Sequence, residues 1–364
     1  MKTGRSLTDL AAEIERQSAT KRDFIVSTEA VRMTGDTPGF RLGFGDIEVG
    51  VNPMAHRQVA EYTKIPQSYY DRMRAEAPGL LMDNVNTWLH ANPQKRMVRT
   101  LDGDARAFLS DRYRPLGNFD LAEAALPALA TAGLDVISCE LTERKLYIKA
   151  VDRSIQRYLP VGARMGDGGN NMFKIPNGHA VPAIQISNSE VGDGSLSVVG
   201  GYLDGGCTNL CWWWAQAGMR KYHVGAQLQL QDDLYRVLSD DTRRATDKAV
   251  WLQFRDTVKA ALAPEVFDER LATVELTLKR EMTADPVKVV EVTAKKLNLN
   301  NGQRTSVLQH LIRGGQLNQF GLANAITSAA NDQQDYDEAT RLEHVGGRVI
   351  ELGPQEWKEL AQAA

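Results

Sequence analysis

Cysteine is scarce in this chain: Cys139, Cys207 and Cys211 are the only three in 364 residues. An odd handful spread so thinly cannot build a disulfide framework, so the sequence points to a reducing compartment. Long apolar runs are missing as well, and nothing approaches the roughly 18 consecutive apolar residues of a membrane span. The first residues, Met-Lys-Thr-Gly-Arg-Ser, lead into a charged amphipathic pattern with no apolar signal core. There is no excess of positive charge: 43 Lys and Arg against 46 Asp and Glu give a net charge of −3. That balance argues against wholesale binding to nucleic acid or acidic lipid and leaves room only for a local basic face. The glycine-lysine spacing of a phosphate-binding P-loop is absent, and so are internal repeats and low-complexity tracts. The expectation is a cytoplasmic protein with no membrane partner.

What is present is ordinary globular composition, 43% hydrophobic and 24% charged, over a length that suits about two domains. Leu7, Leu10, Ala11 and Ile14 share a helical face behind the N-cap candidate Ser6. Weak alternation over 21–51 predicts short strands. Pro53 to Arg74 reads as two short helices broken at Ile65-Pro66, with Tyr69, Tyr70, Arg72 and Arg74 on the second. Asp102-Gly103 marks a tight hairpin between Lys95–Leu101 and Ala105–Ser110. A helix stopped by Gly133 follows, with Asn118 or Asp120 as its cap, and then two more strands. After about Ser239 the pattern is helical, with stops expected at Pro264, Gly314-Gly315 and Gly346-Gly347. The predicted class is α+β: an antiparallel β-rich core with a packed helix, followed by a helical C-terminal domain. The expected divisions are 1–93, a mixed strand and helix region; 94–238, the β-rich core carrying the site; and 239–364, the helical domain.

The chain is organised around 183–227. Ile184 and Ile186, then Leu196 and Val198, alternate as strands on either side of Ser187-Asn-Ser-Glu-Val-Gly-Asp-Gly194, a run of turn residues. Cys207-Thr-Asn209, three consecutive tryptophans (Trp212, Trp213, Trp214) and Arg220-Lys-Tyr-His223 follow. No other segment gathers so many chemically capable groups. Asn188, Ser189, Glu190, Cys207 and Asn209 are expected to shape the site, with Glu190 as the carboxylate partner of His223.

Those residues carry a resemblance. The segments from Ser187, Cys207 and Arg220, with Leu109-Ser-Asp-Arg-Tyr-Arg-Pro-Leu-Gly-Asn118 and the closing stretch Asn331 to Leu352, resemble the phage/plasmid-like protein family, domain-of-unknown-function family nine-three-two. The resemblance implies a mobile genetic element in a bacterial host and no particular chemistry.

Cys207 and Cys211 with His223 lack the second tight ligand pair of a structural zinc site, so no metal and no cofactor are expected. Three adjacent tryptophans cannot all face one way, so some must be core. Arg96, Arg99, Arg112, Arg114, Arg220, Lys221 and His223 are the candidate nucleic-acid contacts, with exposed rings adding base stacking. The leading expectation is binding of single-stranded DNA and strand annealing in recombination; a homo-oligomer would be compatible with it. The alternatives are an enzyme acting on nucleic acid or a phosphorylated metabolite through Glu190, Asn209 and His223, and an accessory or anti-defence protein that binds a protein partner. The first reading requires its cations to converge on one open face; the enzyme reading requires a closed pocket around His223.

Overall fold

A computed structural model describes residues 2–36, 39–113, 116–160, 175–205, 209–213, 219–221 and 240–362. Arg114, Cys207, Trp214 and His223 lie outside them, and the side chains of Arg220 and Lys221 do as well. The fold is α+β with a helical C-terminal region, as the sequence predicts.

The first sheet runs β1-β5-β6-β4-β3-β2. Its strands are β1 (Arg22–Ser27), β2 (Val31–Thr34), β3 (Arg41–Phe44), β4 (Ile47–Val51), β5 (Lys95–Leu101) and β6 (Asp104–Ser110). All its pairs are antiparallel except β4–β6. Asp102 and Gly103 both take positive φ, 53° and 91°, as the tight turn requires. The helices α2 (Pro53–Thr63), α3 (Gln67–Glu76) and α4 (Pro78–Ala91) cover one face, burying Val59, Tyr70, Met73, Leu81, Val85 and Leu89 against Val98 and Phe108. The expected division at 93/94 therefore cuts through a sheet, because β1 pairs with β5 over six consecutive residues. A hairpin following three helices looks like the start of something new, but its edge completes the sheet begun at Arg22.

The second sheet runs β12-β11-β10-β8-β7, with β13 also on β11 and β9 on β10. It is built from β7 (Asp135–Leu141), β8 (Leu146–Val151), β9 (Arg157–Tyr158), β10 (His179–Asn188), β11 (Leu196–Asp204), β12 (Leu210–Trp212) and β13 (Met219–Lys221). Helices α1 (Leu7–Thr20), α5 (Asn118–Thr131) and α6 (Asp240–Ala261) pack on one face, against Ile148, Ile184, Ile186, Leu196 and Val198. Ser6 caps α1 by accepting from the Asp9 N–H at 3.0 Å. Gly117, not Asn118 or Asp120, is the N-cap of α5, which stops at Gly133 (φ 71°).

The other face carries the C-terminal helices α7 (Pro264–Leu278), α8 (Pro286–Lys296), α9 (Asn301–Gly314), α10 (Gln319–Ala329), α11 (Tyr336–Ile350) and α12 (Pro354–Gln362). The helix α11 does not stop at Gly346-Gly347 as expected. A Cβ on Gly347 would overlap the backbone carbonyl of Trp212, and one on Gly346 would meet Thr327. These glycines let a helix lie directly on β12 and α10; close approach, not termination, is their role.

Candidate functional site

The stretch expected to form the site is a buried joint between the two sheets. Residues 189–195 connect β10 to β11, and the side chains of Ser189, Glu190 and Val191 turn inward. The Glu190 carboxylate accepts from Arg106 Nη2 on β6, from Lys21 Nζ at 3.1 Å and from the Asn118 N–H at 2.9 Å. Arg99 on β5 donates to the Glu190 carbonyl at 2.7 Å and pairs with Asp23 at 2.7 Å. Burial opposes ionisation of Glu190, but the charges of Arg106, Lys21 and Arg99 and the Asn118 N–H outweigh it and hold the carboxyl at about 2.

The rest of the turn is tied just as closely. Tyr113 donates to the Ser189 carbonyl at 3.0 Å, and Ser189 Oγ caps the Asp193 N–H at 3.0 Å. Asn188 donates to Leu116 O and Asn118 Oδ1. Gln58 of α2 bridges the Phe108 N–H and the Val191 carbonyl, both at 2.7 Å. Gly192 has φ 77°, and a Cβ there would strike Leu109. Outside, Asp193 pairs with Arg57 at 3.0 Å and with Arg144 at 2.6 Å.

Arg99 and Arg106 are 2% and 7% exposed, so neither faces a ligand. Arg96 and the exposed Arg112 stand at the open end of the β5–β6 hairpin. The Arg96 guanidinium lies over the Tyr62 ring, 4.2 Å from its centroid. Arg220 and Lys221 belong to β13, paired with Ser197 and Leu196 near the Asn188 end of β10. Asn209 lies at the far end of β11, beside Leu210, which pairs with Leu203. Its amide donates to Ser328 Oγ at 2.7 Å and to Asn324 Oδ1 at 2.8 Å. At ~3.3 Å per residue, the six steps from Ser197 to Leu203 separate those ends by about 20 Å. Asn209 and Glu190 therefore do not share a site. Trp212 is fully buried, and Trp213 stacks on Tyr202 at 5.1 Å, so the two described tryptophans of the triple are core. Buried Cys211 lies in β12. No cluster of three metal-binding side chains occurs among the described residues.

A helix ending at Gly346-Gly347 is expected here from the sequence, but not the two polar stripes that α11 carries. Toward the second sheet, Tyr336 meets Ser138 at 2.6 Å, and Lys149 Nζ meets Glu343 at 2.8 Å and Thr340 at 3.0 Å. Trp212 Nε1 also donates to Glu343, at 2.8 Å. Lys149 and Glu343 are both wholly buried; desolvation pushes the ammonium down, and Glu343 works against that shift. His344 Nε2 meets the Gln185 amide at 3.0 Å. The second stripe, Glu338, Arg341, Val345 and Arg348, repeats at spacings of three and four and faces a cleft of about 560 Å³. That spacing is readable in the sequence, but the strand-rich centre drew the reading away from it.

Comparison with known protein families, with curated proteins and with solved structures finds no match to this chain.

Proposed function

We propose that the chain binds single-stranded nucleic acid at the open end of the β5–β6 hairpin, as a DNA-metabolism protein that helps complementary strands anneal. The observation that carries this reading is Arg96, a cation spared from internal ion pairs and laid over an aromatic ring. The side chains of Lys64, Lys95 and Arg96 make no hydrogen bond or ion pair among the described residues, and Arg96 is braced on Tyr62. Arg112 is exposed two residues beyond Ser110, the partner of Arg96. The Arg96 Nε is buried, and a guanidinium held against a ring this way presents its terminal N–H groups to phosphate. The resemblance to phage/plasmid-like proteins points the same way. The enzyme reading has less support, since Glu190 is fully engaged and Asn209 stands apart from it.

The test is anisotropy of a fluorescent oligothymidine titrated at two salt concentrations. Single strands are expected to bind more tightly than duplex. Lys95→Ala with Arg96→Ala should weaken binding and flatten the salt slope by about 0.7 per lost phosphate contact. Complementary strands should anneal faster with the protein than without it. Single strands left unbound by micromolar protein at low salt would refute the reading.

A further inference from the structure

We propose a second ligand site, in the cleft between α11 and the turn joining α8 to α9, for a phosphorylated nucleoside, free or at a strand end. The cleft, about 560 Å³, falls within the ~300–1,000 Å³ typical of small-molecule sites. Arg341 and Arg348 lie seven residues apart on α11, so both guanidinium groups border the same opening. Arg348 is exposed and makes no side-chain hydrogen bond or ion pair among the described residues.

Arg341 is held in place by a built framework. Its Nη2 donates to Gln303 Oε1 at 3.0 Å and its Nε to Glu338 at 2.9 Å. Gln303 is 2% exposed and closes the capping box of α9 with Asn300, so its carbonyl is fixed by the helix start. Its amide donates to the same Glu338 carboxylate at 3.1 Å. Glu338 thus occupies the place between an arginine and an amide N–H that a phosphate oxygen suits. Leu297 and Val345 offer apolar wall, and Asn298 offers a hydrogen-bonding edge, which match a base better than a bare anion. His344 is oriented from beneath by Gln185, whose buried Oε1 has no hydrogen-bond partner among the described residues.

The assignment predicts opposite effects for two substitutions, which a purely structural role would not produce. Isothermal titration of the full chain would use AMP as one probe, with adenosine as its phosphate-free control. A 5′-phosphorylated oligothymidine, with its unphosphorylated counterpart, would be the other, titrated into the chain carrying Lys95→Ala with Arg96→Ala so that binding at the hairpin does not contribute. Saturable one-to-one binding that requires the phosphate is expected from at least one probe; AMP identifies the free nucleotide as ligand, and the oligonucleotide alone identifies the strand end. Arg348→Ala should weaken that binding roughly tenfold or more, the usual scale of a lost charge-assisted hydrogen bond. Glu338→Gln, which removes the resident negative charge, should tighten it. Arg348 is a surface residue, so its variant is expected to fold normally, as a circular dichroism melt would check. Failure of both probes at millimolar concentration, phosphate-independent binding, an Arg348→Ala variant that binds like the parent, or weaker binding by Glu338→Gln would each overturn the site. Loss of this site would leave the hairpin reading standing, because Lys95→Ala with Arg96→Ala is read out on unphosphorylated strands.

Discussion

Replacing Glu190 by glutamine tests whether the turn after β10 is the joint that holds the two sheets together. An ordinary glutamate titrates near 4.5, and this one is held at about 2. At about 1.4 kcal/mol for each tenfold in proton affinity, the native state favours the carboxylate by roughly 3 kcal/mol. Glu190 is only 4% exposed, so solvent screening takes little from that figure. Because the folded value lies below the unfolded one, the contribution is complete above about pH 4.5 and is lost as pH falls toward 2. Glu190→Gln keeps the shape but leaves Arg106 buried without its counter-charge, while Arg99 keeps Asp23. Breaking a buried pair this way costs about 3–5 kcal/mol. Urea unfolding at neutral pH should therefore show a large loss of stability in the variant. Parent and variant should converge as the pH is lowered toward 2, since the parent then loses by protonation what the variant lacks already. A variant as stable as the parent at neutral pH, or two curves that stay parallel through the acid range, would refute the reasoning.

The buried pair under α11 should behave as a unit. Lys149→Met alone is expected to cost about 3–5 kcal/mol by stranding Glu343, while Lys149→Met with Glu343→Leu should recover much of the loss, as a double-mutant cycle from urea melts would measure. Gly347→Ala should destabilise by about 1–3 kcal/mol, because the added methyl meets the Trp212 carbonyl and must push α11 off β12; thermal melts monitored by tryptophan fluorescence check it.

Local features were legible in the sequence because local chemistry determines them. Ser6 capping α1, the Asp102-Gly103 turn and the break at Ile65-Pro66 all stand as expected. Each is a contest between a few neighbouring backbone groups, settled by side chains within three or four residues. Sheet membership is different. Nothing in 95–110 says that its partner strand lies more than seventy residues earlier, yet Arg22 pairs with Thr100. The glycine pair in α11 was misread for the same reason: the carbonyl that requires a missing Cβ belongs to Trp212, far away in sequence.

The arginines of the hairpin show where a period-two reading stops. Alternation identifies Arg99 and Arg106 as residues directed away from the apolar core of their own sheet, and in a lone two-layer domain such a face meets water. Here the turn carrying Glu190 arrives from the second sheet and covers that face, so Arg106 pairs with the buried carboxylate and Arg99 with the turn's carbonyl and Asp23. Arg96 escapes because, three residues before Arg99 on the same strand, it lies on the opposite face, beside Val98 and over Tyr62 of α2, which that turn does not reach. The segment richest in polar chemistry was thus correctly identified as the centre of the molecule, but it serves as a joint. A buried acid among three cations is satisfied from all sides and has nothing left to offer a substrate. Ligand-binding capacity is better sought where charged side chains stay uncommitted, at Arg96 on one sheet and at Arg348 on the helical side of the other.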